Sequence, residues 1–243
     1  MFKVLSIDYD YFINVTERCV RQFPDGIDTK NTELNELIWG THYSCIRWLE
    51  DININKYLIK HIKQILSNQN PNIPVLISES HVYIYDFILK YWNKHDDIGL
   101  VNIDFHHDMF NDNETLDCGN WIKHIMQEVV TRNAKIYIKW IARQESLNTF
   151  NINIDEYKEL SKIISTDLSI IDDKLFDIIF LCRSDPWSPP HLDKHFENLV
   201  NYMGDNFNNV CVENVILKNR RVINNPDLNV RIKNGKYKKT KNR

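Results

Sequence analysis

A three-layer α/β/α fold with a mainly parallel sheet is predicted by three observations. Apolar, β-branched runs alternate along the chain with longer amphipathic stretches. Acids and histidines gather just past the ends of those runs, where the loops of a parallel sheet converge. A chain of 243 residues, 43% of them hydrophobic, is long enough for one sizeable core and too short for two generous domains.

The elements follow in order. Phe2 to Ile7 reads as the first strand. The polar stretch Thr16 to Thr32, with its Pro24-Asp25-Gly26 turn, reads as a surface excursion near that strand's end. Amphipathic patterns place helices over Glu33 to Glu50 and Lys56 to Ser67, and Pro74 to Ser78 is the second strand. A helix from His81 to Trp92 leads to a strand over Leu100 to Asp104, then a helix over Asn120 to Thr131 and a strand over Ala134 to Trp140. Further on come a helix over Asp155 to Ser165 and a strand over Asp177 to Cys182. Last are a helix from Pro190 to Gly204, opened by Pro189 and Pro190, and a strand over Asn209 to Val212. Residues 1–217 are expected to form a single domain, and 218–243 a basic extension, frayed from Gly235 onward.

Charge is unevenly placed. Lys218 to Arg243 holds ten Lys or Arg against the single acid Asp227, a net +9, so the remainder carries −12 of the overall −3. With no aromatic residues interleaved in a basic stripe, the tail reads as a solvated end and nucleic acid is not expected as a partner. The five cysteines, Cys19, Cys45, Cys118, Cys182 and Cys211, are scattered without a C-x-x-C pair, which favours reduced thiols. The start turns acidic at Asp8, too soon for a signal peptide, and no run of about 18 apolar residues occurs. A cytoplasmic protein without membrane partners is expected; the oligomeric state is left open.

The chemistry concentrates in Asp104-Phe105-His106-His107-Asp108, which ends the apolar run Gly99 to Ile103. Unpaired acids and imidazoles at a strand end carry a desolvation cost that a divalent cation removes. Alternation along an extended segment would turn Asp104, His106 and Asp108 to one side and His107 to the other, and the same spacing would align Asp8 with Asp10. His81, just past the second strand, supplies a sixth candidate ligand. Carboxylate oxygens and imidazole nitrogens without a thiolate suit manganese, iron or zinc, and four carboxylates to two histidines lean toward manganese. Six ligands suffice for two ions of the kind that lower the pKa of a shared water toward ~7. A rival reading exists, because Asp8-Tyr9-Asp10 after a first strand also marks aspartyl-nucleophile phosphatases, with Ser78 and Lys90 or Lys94 as supporting groups. That reading leaves the Asp104 cluster unexplained. His42, His61, His95, His124, His191 and His195 lack ligand-type neighbours and read as surface or core residues.

These residues resemble known ones. Asp104 to Asp108 resembles the Asp-Ala-His-x-Asp motif of the arginase and ureohydrolase superfamily, His81 its strand-end histidine, and Asp8-Tyr9-Asp10 its Asp-x-Asp pair. The stretches Ser6 to Phe12, Cys118 to Ile122 and Leu181 to Pro190 look like the small arginase-like family that includes peptide arginases. The order differs from ordinary arginases, in which the Asp-x-Asp pair follows the Asp-x-His-x-Asp motif, and no Gly-Gly-Asp-His-Ser is present, only Ser-Glu-Ser-His. The resemblance implies an arginase-like catalytic domain holding two Mn2+ ions. In it Asp104 and Asp8 bridge, His81 and Asp108 complete one site, and His106 and Asp10 the other. It also implies hydrolysis of arginine to ornithine and urea in a ribosomally made precursor peptide, with Asp108 orienting the attacking water and passing on its proton. Glu79, Asp185 and Glu213 are candidates for holding the guanidinium, Glu213 being better read as a surface acid, while Asn120 and Trp121 are candidates for shaping the pocket mouth. Three alternatives remain: a single-zinc deacetylase-like amidohydrolase with His107 as base, the phosphatase, and a non-catalytic, metal-stabilised peptide-binding protein.

Overall fold

The computed structural model describes residues 1–15, 23, 32–110, 114–153, 162–213 and 220. Seven strands form one sheet: β1 (Phe2–Asp8), β2 (Pro74–Ser78), β3 (Ile98–Ile103), β4 (Ile136–Ile141), β5 (Ile164–Ser165), β6 (Ile178–Cys182) and β7 (Asn209–Glu213). Their order is β5-β4-β3-β1-β6-β2-β7, and every pairing is parallel. The helices are α1 (Thr32–Cys45), α2 (Lys56–Ser67), α3 (Tyr83–Tyr91), α4 (Trp121–Thr131), α5 (Gln144–Thr149) and α6 (Asp193–Asn206). Among the described residues no helix is long and apolar enough to cross a membrane.

Side-chain alternation divides the core into two slabs. Leu5 and Ile7 of β1, Val75 and Ile77 of β2, Val101 and Ile103 of β3, and Ile179 and Leu181 of β6 face α2 and α6, which bury Ile62, Ile65, Phe196 and Leu199 against them. On the other face Val4, Leu76, Leu100, Ile178 and Phe180 pack on Ile84, Phe87 and Ile88 of α3 and on Trp121, Ile122 and Ile125 of α4. Both faces are covered, as an all-parallel sheet requires. The chain runs from β1 to β2 on one side of β1 and then crosses to β3 on the other. The carboxyl ends of β1 and β3 therefore flank the crevice where open α/β sheets place their ligands.

Three polar side chains break the apolar pattern of the second face: Ser6, Ser78 and Asn102 are each fully buried at the carboxyl end of a strand. Burial of such groups without function is costly. Two of them serve the cluster described below.

The expected elements appear with some corrections. The helix expected over Glu33 to Glu50 ends at Cys45 and resumes as a 3-10 turn over Arg47–Asp51. Near its end Thr41 and Ser44 donate to the carbonyls of Leu37 and Gly40, a competition that bends helices. Of the helix expected over Asp155 to Ser165, residues 154–161 lie outside the described residues, and Ile164–Ser165 is instead a short strand paired with β4. The helix α5 was not anticipated, being only six residues long. The excursion between β1 and α1, apart from Phe23 and Thr32, and the chain after Gly235 lie outside the described residues. Arg220, which falls in the expected basic extension, is buried and bonded to Asp193 of α6.

Ile103 is fully buried directly before Asp104. Replacing it with alanine is expected to lower the unfolding free energy by about 2–5 kcal/mol in a urea titration; a loss below about 1 kcal/mol would show that this strand end is not tightly packed.

Candidate metal centre

Six ligand-type residues from three places in the chain converge at the carboxyl edge of the sheet. Asp8 is the last residue of β1, and Asp10 follows in a 3-10 turn over Tyr9–Phe12, in which the amide of Asp10 donates to Asp8 Oδ1 at 3.1 Å. His81 lies between β2 and α3, and Asp104, His106 and Asp108 follow β3. The expected alternation is not how they meet. Beyond Ile103 the chain is no longer a strand, and Asp108 takes a positive φ of 52°. The amide of His106 donates to Asp104 Oδ1 at 2.7 Å, so a turn, not a pleat, gathers these side chains. A non-glycine residue in the left-handed region costs about 1–3 kcal/mol and persists where its surroundings over-determine it.

The six sort into two halves around Asp104. His81 Nδ1 lies 3.0 Å from Asp8 Oδ2, 3.3 Å from Asp104 Oδ2 and 3.1 Å from Asp108 Oδ2. His106 Nδ1 lies 3.0 Å from Asp10 Oδ2 and 3.8 Å from Asp104 Oδ1. One oxygen of Asp104 thus serves each half. Within the groupings Asp10–Asp104–His106, His81–Asp104–Asp108 and Asp8–His81–Cys182, the ligand atoms are all within 4.8 Å of one another. Cys182, at the end of β6, was not anticipated as a neighbour of this site.

Around these groups stands a set of orienting contacts. Ser6 Oγ meets His81 Nε2 at 2.6 Å, leaving Nδ1 to face the acids. Asn102 Nδ2 donates to Asp104 Oδ2 at 3.1 Å, and Trp121 Nε1 to Asp108 Oδ2 at 2.6 Å. Ser184, itself at a φ of 52°, donates its hydroxyl to Asp8 Oδ2. Phe180 stacks beneath His81 with ring centres 5.5 Å apart. Of these residues Trp121 is named from the sequence and Ser6 and Ser184 fall in stretches singled out there, while Asn102, a polar residue interrupting an apolar run, and Phe180, one apolar strand residue among many, carry no signal of this role.

Asp8, Asp10, Asp104, Asp108 and His81 are buried, and the proton affinities of Asp10, Asp104, Asp108 and His81 shift strongly. Burial, together with the neighbouring Asp8 and Asp104 charges, pushes Asp10 from its ordinary 3.8 up to about 8. Asp108 is likewise pushed well up by burial and by Asp104. Burial also works on Asp104, but hydrogen bonds from His106 and His81 outweigh it and hold that acid well below the ordinary range. His81 and His106 resist burial and are raised, the first chiefly by Asp108 and the second by Asp10. Protons here do what cations would do, neutralising acids that water cannot reach. Asp10 Oδ2 is buried and accepts no hydrogen bond, although His106 is close by. An acceptor-rich cluster with such an orphaned oxygen fits divalent ions held by oxygen and nitrogen donors.

The remaining candidates stand apart. His107 is held outside the cluster: its Nδ1 accepts from the Met109 amide at 3.0 Å, and its ring packs on Phe110, Trp140 and Phe150. Burial and the nearby His106 lower its pKa. Asn120 is buried and used internally, accepting from the Asp117 amide and donating to the Thr115 carbonyl. The Asp185 carboxylate already receives Arg183, Nε at 2.5 Å and Nη2 at 3.0 Å. Glu79 is buried beside His81 in sequence, and its carbonyl accepts from the Asp185 amide. Glu213 is exposed at the far edge of the sheet on β7. Lys90 lines a separate groove between α3 and β7. A cleft of about 50 Å³ opens onto the cluster, with Asp8, His81, His106, Asp108, Ser184 and Trp187 among its walls, and a narrower one reaches Asp10 and His106 past Phe105 and Trp187.

Two measurements test this centre. Without metal, folded Asp10 and Asp108 keep protons that the unfolded chain releases near its ordinary carboxylate value, and the contribution of His81 and His106 is lost as pH rises through their raised folded values. In chelator the Tm should therefore fall from pH 5 to pH 8, while Asp104 matters only in the acid range, where its stabilisation is lost as pH falls. Added Mn2+ should reverse the trend, because metal ligands bind deprotonated; a metal-free Tm that is flat across this window would contradict the electrostatic account. Trp121→Phe keeps the ring against His81 and removes the donor to Asp108, so Mn2+ affinity should drop about 10–100-fold in a competition titration.

No protein-family model, curated protein or solved structure matches the chain.

Proposed function

We propose that the protein is a binuclear manganese hydrolase that removes urea from arginine side chains of a precursor peptide, leaving ornithine. The observation that carries this reading is Asp104 shared between two imidazole–carboxylate halves, with Asp8, His81 and Asp108 on one side and Asp10 and His106 on the other. The resemblance to arginase-like proteins implies the same placement of His81, Asp108, His106 and Asp10 about a shared Asp104, but it also has Asp8 bridging, whereas here Asp8 Oδ2 faces His81. A pair of divalent ions in such a site supplies a water acidic enough to be a nucleophile near neutral pH and stabilises charge on the attacked carbon's substituents.

The chain's own residues do the rest. Asp108, aimed by Trp121, orients the attacking water and accepts its proton. The new C–O bond forms at the guanidinium carbon, the bond from that carbon to Nε breaks, and the proton held by Asp108 passes to the departing amine. The remaining hydroxyl proton leaves the oxygen as the carbonyl of urea forms and also ends on the amine, so that water and a guanidinium are converted to urea and an ammonium. Asp185 and Asn120 are committed to internal partners and Glu213 is remote, so of the candidate acids Glu79 remains, and Trp187, whose ring stands 5.2 Å from that of His106 and walls both clefts, offers the cation a ring face at the mouth. The phosphatase reading is disfavoured because Lys90 belongs to another groove and Lys94 is exposed before the start of β3, at the edge of the sheet opposite the cluster, and the deacetylase reading because His107 is packed and bonded away from the acids.

Purified protein is expected to bind two equivalents of Mn2+ and to release urea from an arginine-containing peptide, with loss of CH2N2 from the peptide mass. Asp108→Asn, at saturating Mn2+, should reduce kcat by about 10²–10⁴-fold. Two bound ions with no change in free or peptidyl arginine would overturn the proposed reaction while leaving the metal centre standing.

A further inference from the structure

We infer that Arg220, from the chain beyond the last strand, is a positioning residue for the metal centre, acting through the loop 183–188. This rests on the metal-binding reading above. The loop follows β6 and does two things at the cluster: Ser184 donates to Asp8 Oδ2, and Trp187 stands against the His106 ring. The loop is tied within itself, Ser188 Oγ donating to the Arg183 carbonyl, the Trp187 amide to the Ser184 carbonyl and Arg183 to the Asp185 carboxylate, yet it carries Ser184 in the left-handed region and so gains from a brace outside it.

Arg220 is the brace. Its Nη1 donates to the Asp185 carbonyl at 2.8 Å and its Nη2 to the Ser188 carbonyl at 2.5 Å, one on each side of Trp187. The same guanidinium grips Asp193 at the start of α6, Nη2 to Oδ1 at 2.7 Å and Nε to Oδ2 at 3.0 Å, while its backbone amide donates to Asp193 Oδ2 at 2.7 Å. Asp193, Arg220, Asp185 and Arg183 are all buried. A planar fork with five donors can satisfy two carbonyls and a carboxylate together; a lysine ammonium cannot span them. The fork therefore clamps Asp185 and Ser188, the ends of the turn that carries Trp187, against a helix. Between those ends lies the residue that faces His106, and just before them the one that holds Asp8.

The test reads Mn2+ affinity of the full chain by competition with a fluorescent chelator. Arg220→Lys keeps the charge opposite Asp193 and gives up the fork. It is expected to weaken Mn2+ binding about tenfold, the scale seen when partners behind a metal's own ligands are removed. Ser184→Ala should show a similar loss, and the double variant should be no weaker than the weaker single one, because both act on Asp8 by one route. A purely structural arginine would lower the melting temperature in chelator and leave affinity unchanged, and that result overturns the inference, as do losses that simply add. A readout on the native protein guards against a variant that fails to fold: Mn2+ should slow hydrogen exchange across 183–193, since coupling is reciprocal, and unchanged exchange there counts against the clamp. If the native chain binds no Mn2+ at all, the metal reading itself has failed, an outcome distinct from native binding that Arg220→Lys leaves intact.

Discussion

Four carboxylates buried within reach of two imidazoles impose the constraint around which the carboxyl edge of this sheet is arranged. Each acid removed from water unpaired costs several kcal/mol, and like charges at these distances cannot all ionise without opposite charge between them. The structure answers with Asp104 at the centre, its two oxygens divided between His81 and His106. The shifts of Asp10 and Asp108 toward retaining their protons express the same need. A cluster kept at this depth only for stability would be a poor solution, because hydrophobic residues of similar size would serve at least as well. That imbalance is the physical reason to read it as a working site.

The sheet makes the cluster possible by supplying rigid ends. β1 lies between β3 and β6, so the ends of three adjacent parallel strands carry Asp8, Asp104 and Cys182 side by side. The face covered by α3 and α4 is apolar through most of its depth and turns polar at Ser6, Ser78 and Asn102, directly beneath the acids. Helix starts finish the enclosure, with His81 shortly before α3 and Trp121 opening α4. Placing orienting groups on strands and helix ends, where packing locks rotamers, gives more precise ligand geometry than loops alone.

One side of the centre does depend on a loop, and there the chain uses buried ion pairs. Arg183, Asp185, Asp193 and Arg220 form a contiguous network behind the loop 183–188, with Trp39 donating to the Asp185 carbonyl as well. Such networks contribute little net stability but fix one arrangement against others. The same network explains why Asp185 is a poor candidate for holding a substrate's guanidinium: that carboxylate is already matched to a guanidinium of the protein itself.

Much of this is legible in the pattern of residues alone. The period of the apolar runs located six of the seven strands, because burial on both faces forces continuous β-branched segments, and the positions of Asp8, His81 and Asp104 past strand ends pointed to a shared rim. The two-residue strand β5 and the short helix α5 were not legible, since neither is long enough to show a period. The convergence of Asp104, His106 and Asp108 was anticipated for the wrong reason, alternation standing in for a turn with a left-handed Asp108. The kind of fold and the ligand types available follow from local pattern and residue chemistry alone. How the acids divide around Asp104, the commitment of His107 and Asp185 to other partners, and the brace that Arg220 sets behind the loop 183–188 come from the folded chain. Those are contacts between residues distant in the chain, and no local pattern encodes which partner a buried polar group will find.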